Sequence, residues 1–340
     1  MSNFSANLFE QFAAIRYKKS SRILMNENLK EPAPPDFWAD LVDCWRRLPN
    51  KIFFFGLLAA WLALFQFLGN SILGYVHTPS LFAWLREAYN SPNPAADDGH
   101  GNLIPFIVLG LFWWKRKTLL ELPLKIWWPG IIFVIAAAAL HVLGYVVQQP
   151  RLSVVAMFTG IFGLMGLAWG RAWLRESFFP FWLFIFSVPL AALLVSFTFP
   201  LRLLVTWLVT LIANLLTVDV VRQGTLLFGS GGRYQYEVAA ACSGMRSLVA
   251  IFLLATVYGF ITFRSPGKRL LLMSLALPLS VLGNLIRMLC IIFAAEIGGQ
   301  SVGDYVHESS IFSMIPYIPA IAGLLLAGRW LADKPQPEKK

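Results

Sequence analysis

Cys242 stands in Glu237-Val-Ala-Ala-Ala-Cys-Ser-Gly-Met-Arg246, at the mouth of a long apolar segment where packing alone would be served by an aliphatic residue. Two further polar groups interrupt the apolar chain after it: Arg287, inside the next segment, and His307, just ahead of the last one. A thiol, an imidazole and a guanidinium together suffice for acyl transfer. The imidazole takes the thiol proton near neutral pH, the thiolate attacks a carbonyl carbon, and the guanidinium steadies the oxyanion or holds a substrate carboxylate. Each residue also has a plainer reading. A cysteine among Ala, Gly and Ser neighbours packs well at a helix interface, a membrane arginine can snorkel to the boundary, and a loop histidine is usually just solvated.

Spacing favours the chemical reading. Arg287 lies 17 residues beyond Leu270, about 26 Å along a helix at 1.5 Å per residue, so it reaches the far boundary of an apolar layer about 30 Å thick. Asn284, three residues before it, shares its helical face. Arg246, one turn beyond Cys242, is a second cation able to lower the thiol pKa. Asp304 or Glu308 is placed to orient His307.

The elements that must carry these residues are transmembrane helices. Of the 340 residues, 57% are hydrophobic and 14% charged, with a mean hydropathy of +0.64, which excludes an ordinary soluble domain. The expected fold is an all-α polytopic membrane protein with about eight spans, near 52–69, 103–114, 126–147, 152–170, 178–198, 245–263, 270–296 and 311–328. Residues 1–51 read as a cytoplasmic extension, 52–328 as one membrane domain and 329–340 as a cytoplasmic tail. The first apolar stretch begins only near residue 52, so no cleavable signal is expected.

Orientation follows from the basic residues. With the N-terminus inside, the inner segments carry 21 of the 28 Lys and Arg, as the retention of positive charge on the cytoplasmic side requires. The net charge of +10 is then an anchor to anionic lipid rather than a nucleic-acid footprint. Residues 199–217 are apolar enough to cross, but crossing would put the basic runs 264–269 and 329–340 outside, so an interfacial or re-entrant helix on the outer face is expected. After it, Thr225–Phe228 and Arg233–Val238, separated by Gly229-Ser-Gly-Gly232, read as a small outer-face β-hairpin leading to Cys242. The three cysteines, at 44, 242 and 290, do not form a disulfide framework, and no metal or cofactor motif is present.

At these residues the chain resembles the exosortase and archaeosortase family of membrane transpeptidases. The resemblance rests on Ala241-Cys242-Ser243-Gly244, on Asn284-Leu-Ile-Arg287 and on His307, the third place that is histidine in the bacterial exosortase branch. It extends to His100-Gly101-Asn-Leu-Ile-Pro105, with Gly99 where the family usually has serine, and covers about 90–328. The resemblance implies Cys242, Arg287 and His307 as catalytic residues, with Ser243, Gly244, Arg246, Asn284 and His100 in support and no cofactor. The implied substrates are exported proteins with a C-terminal tripartite sorting signal: a short motif such as Pro-Glu-Pro, a hydrophobic helix and a basic cluster. Cleavage through a Cys thioester and transfer to water, lipid or glycan would follow at the outer face of the cytoplasmic (inner) membrane, often in connection with exopolysaccharide production. The alternatives are a transporter, which would spread polar residues through the middle of several spans, and a non-catalytic component of a polysaccharide assembly system. Oligomeric state is not legible.

Overall fold

The computed structural model describes residues 37–69, 78–91, 98–238, 245–309, 312, 314 and 317–332. The chain divides into two units, Met1–Leu48 and Pro49–Lys340. In the first, α1 (Phe37–Arg47) is an exposed amphipathic helix with an Arg47–Asp43 ion pair of 2.9 Å one turn apart.

Among the described residues, the second unit is helical apart from one small sheet. Its helices are α2 (Lys51–Phe67), α3 (Leu81–Tyr89), α4 (Ile104–Leu120), α5 (Gly130–Val146), α6 (Pro150–Trp169), α7 (Arg171–Trp182, continued by a 3-10 turn to Ser187) and α8 (Ala191–Leu215). After the sheet follow α9 (Met245–Thr262), α10 (Pro266–Ser274), α11 (Ala276–Gly298), α12 (Gln300–Glu308) and α13 (Tyr317–Leu331). By length and composition, α6 and the α10–α11 pair are long and apolar enough to cross a membrane, while α5, Leu248–Thr262 and Tyr317–Leu331 are shorter apolar helices. Large apolar side chains also cover the outside of the bundle, among them Leu109, Ile135, Val146 and Trp330. Water would not tolerate so much contiguous apolar surface, whereas lipid matches it.

Side-chain contacts define two ends. At the basic end, Asn50 donates to the Ala168 carbonyl (2.9 Å), Lys115 pairs with Glu176 (2.7 Å), Lys268 reaches the Leu331 carbonyl (2.8 Å), and the backbones of Lys125 and Gly170 form an isolated parallel bridge. Stacking of Phe179 on Phe260 at 4.0 Å joins α7 to α9 toward this end. At the other end, the Tyr89 hydroxyl donates to the Ser187 carbonyl, Leu190 N–H donates to Asp98 Oδ1 (3.1 Å) and Arg151 Nε donates to the Pro189 carbonyl (2.5 Å). Phe186 meets Phe252 there, so α9 runs from this end to the basic one.

Two sequence expectations are corrected here. The expected span 178–198 is not one helix: the chain breaks at 188–190, with Val188 extended at ψ 120° before Pro189. A residue preceding proline is pushed out of the helical region, and proline has no N–H to continue the ladder. Residues 191–198 instead open α8, which continues unbroken past Pro200 through the segment expected to be separate. α8 starts beside Asp98, and its second half packs through Val205, Val209 and Ala213 against the sheet and the last turns of α11. Both of its ends therefore belong to the same end of the bundle.

The second correction concerns the hairpin, which is two strands of three. β1 (Val220–Gln223), β2 (Leu226–Gly229) and β3 (Gln235–Glu237) form an antiparallel meander, with Gln223 opposite Leu226 and Phe228 opposite Gln235. The added strand is held to α8 by Asn214, whose Oδ1 accepts from Val220 N–H (2.9 Å) and whose amide donates to the Val220 carbonyl (3.3 Å). Leu227, Tyr234, Tyr236 and Val238 are buried against Met288, Ile291, Ile292 and Ala295 of α11. Each such apolar side chain contributes on the order of 1.5–3 kcal/mol. This is the core that fixes the sheet to the bundle.

Candidate functional site

The site is organised around α11. Asn284 and Arg287 lie three residues apart on one face; Asn284 is 5% exposed and Arg287 half-buried. Asn284 Nδ2 and Arg287 Nε are buried with no hydrogen-bond partner among the described residues. An unmatched buried donor costs about 1–3 kcal/mol, so an acceptor brought to these two groups would be stabilised.

His307 is delivered by the turn that follows. Gly299, at φ 79°, closes α11 and opens α12, a backbone conformation that only glycine adopts readily. α12 then folds back so tightly that a Cβ on Gly303 would stand 2.8 Å from the Ala295 Cβ and 2.0 Å from the Tyr236 hydroxyl. The reversal sets His307 beside Arg287, whose Nη2 donates to the His307 carbonyl at 3.4 Å.

β3 is fastened to the same helix. Tyr236 donates to the Gln300 carbonyl (3.1 Å), Gln235 N–H donates to Gln300 Oε1 (2.9 Å), and Gln300 Nε2 donates to Asp304 Oδ1 (2.8 Å). The Tyr236 and His307 rings are 6.5 Å apart, tilted by 33°. Tyr236 and Gln300 were not singled out in the sequence, because nothing in a strand tyrosine or a helix-opening glutamine distinguishes them from surface residues.

His307 stands outside the apolar segments. Burial, followed by the positive charge of Arg287, holds its pKa below the ordinary 6.5, and the carboxylates of Asp304 and Glu308 offset this only in part. The imidazole is thus neutral, and able to accept a proton, over more of the physiological range. Burial of Tyr236, reinforced by Asp304, raises the phenol pKa, so it stays a hydroxyl.

His100 belongs to a different cluster. It sits in the 3-10 turn Gly99–Asn102, hydrogen-bonded to the backbone of Phe186, with its pKa lowered by burial against the opposing pull of Asp98. With Asp98 and Tyr89 it secures the 187–190 break that starts α8. Cys242, Ser243 and Gly244 lie outside the described residues, as does the Arg246 side chain in the first turn of α9. Cys290, one turn beyond Arg287, is a free thiol on the exposed side of α11.

A helical membrane protein with a polar cluster at one end is the class these features define. The model of the transmembrane exosortase family matches residues 90–317, well over half of the chain, and the protein belongs to that family. No curated protein and no solved structure matches it.

Proposed function

We propose that the chain is an exosortase-type cysteine transpeptidase that processes exported proteins bearing a C-terminal tripartite signal. One observation carries the reading beyond family membership. Arg287 and His307, from different helices, meet at the end of the bundle where Val238 and Met245, the described residues on either side of Cys242, also lie.

In this mechanism His307 accepts the Cys242 proton and the thiolate attacks the scissile carbonyl carbon. Arg287, with the Asn284 amide beside it, donates to the oxyanion. Collapse breaks the C–N bond, the imidazolium protonates the departing amine, and a thioester remains on Cys242. Attack by water, or by an amine or hydroxyl of a lipid or glycan acceptor, then releases the product and restores the thiol. The membrane domain, 52–328, crosses eight times with its basic end in the cytoplasm, α8 lies at the outer interface, and the site faces the outside of the inner membrane.

The test is the mass of a co-expressed exported reporter with a tripartite tail, taken from the same genome, with wild-type enzyme and with Cys242→Ala. Loss of the tail with wild type alone supports the proposal, and the residual mass on the new C-terminus separates hydrolysis from transfer. Equal processing with Cys242→Ala and Cys242→Ser would overturn it and leave a transport or scaffolding role.

A further inference from the structure

The basic end contains a cavity that this chemistry does not use. Its volume is about 910 Å³, within the range of small-molecule sites, roughly 300–1,000 Å³. Arg171 and Arg175 line it, one turn apart on α7, together with Leu174 and Phe178 of the same helix and Phe162 of α6. Leu122 and Trp127, from the connection between α4 and α5, form the remaining wall.

Charge and polarity are graded with depth. The arginines belong to the first turns of α7 at the end of the bundle, whereas Phe178 lies seven residues further along, about 10 Å deeper at 1.5 Å per residue. Phe162 is likewise seven residues back from the end of α6 at Trp169. Among the described residues the only carboxylate on the wall, Glu176, is neutralised by Lys115 at 2.7 Å. Arg171 and Arg175 are exposed and make no ion pair or hydrogen bond among the described residues. Two unmatched guanidiniums, on side chains about 6 Å apart at their Cβ atoms, suit a single phosphate.

We propose that this pocket binds one anionic phospholipid, its phosphate between Arg171 and Arg175 and an acyl chain along Leu174, Phe178 and Phe162. The grading from cation to aromatic matches a lipid entering from the headgroup layer, as basic pockets between membrane helices do. A basic peptide is excluded as the occupant, because the same two charges repel it. A soluble phosphate would leave the apolar floor unused.

Full-length protein in neutral detergent, titrated with phosphatidylglycerol and followed by native mass spectrometry, tests this. The wild type should retain one phosphatidylglycerol and not phosphatidylcholine with the same acyl chains. Arg171→Gln/Arg175→Gln should weaken retention about thirtyfold, the effect of two interfacial charges. Ala172→Trp keeps both arginines but fills the cavity, and should abolish retention while the protein elutes as wild type on gel filtration. Equal retention of phosphatidylcholine, unchanged binding in both variants, or displacement of the lipid by equimolar inorganic phosphate would overturn the proposal.

Discussion

A buried amide without a hydrogen-bond partner among the described residues sits one turn from a half-buried guanidinium whose Nε is in the same condition, while its Nη2 donates to the His307 carbonyl. If Asn284 supplies an oxyanion donor, Asn284→Leu should lower the processing rate about a hundredfold to a thousandfold while leaving thermal unfolding of the purified protein near the wild-type value. A loss under tenfold would assign Asn284 to packing. His307 makes a separate prediction. Its imidazole is held below 6.5 by burial and by Arg287, so the protonated, inactive form accumulates only at lower pH, and the acid limb of the rate profile should have its midpoint below 6.5. The folded state resists this proton, so stability from this residue is complete above 6.5 and declines as pH falls through the folded-state value. Arg287→Gln removes one of the causes, and the His307 resonance, assigned by its disappearance in His307→Gln, should then titrate at higher pH. An unmoved midpoint would mean that the arginine does not govern the imidazole.

At the scale of elements, the site depends on how closely α12 folds back onto α11 and β3. Gly303 is the contact that permits it, since a methyl there would meet the Tyr236 hydroxyl. Gly303→Ala should destabilise the protein by about 1–3 kcal/mol through overpacking, read as a lower melting temperature in detergent. Combining it with Tyr236→Phe removes the colliding oxygen, so the double variant should be more stable than the two single losses added together. Strict additivity would place the strain elsewhere. The break at Pro189 and the unbroken passage through Pro200 show why α8 was hard to delimit from residue types. Both prolines punctuate an apolar run, and only the contacts of Asp98 with Leu190 and of Arg151 with the Pro189 carbonyl select the first.

For the whole molecule, the arrangement of ends predicts which loops share a side. In a chain freed of its native cysteines, cysteines placed at Gln149, Arg222 and Gln300 should react with a membrane-impermeant maleimide in intact cells. Those at Lys117 and Gly267 should react only after permeabilisation. Labelling of Arg222→Cys together with the Lys117 and Gly267 positions would mean that α8 crosses the membrane, and would reverse the side assigned to the sheet. The experiment reads sidedness without relying on activity, so it stands even if the reporter substrate is poorly chosen.

Composition and apolar runs near 20 residues long were enough to make this a helical membrane protein, because lipid admits only helices and closed barrels and runs of that length suit helices. Local motifs were equally legible: Ala-Cys-Ser-Gly and Asn-x-x-Arg pointed to the exosortase family, and the glycine cluster at 229–232 marked the β2–β3 turn. Other features required tertiary structure, since they depend on contacts between residues far apart in the chain. The pairing of β1 is driven by Asn214 on a preceding helix, the start of α8 by Asp98, and the nearness of His307 to Arg287 by a reversal at Gly299 that the chain between them does not announce. His100 illustrates the same limit. Its motif marked it as an accessory residue, and its hydrogen bond to the backbone of Phe186, beside the turn that launches α8, is visible only in the fold.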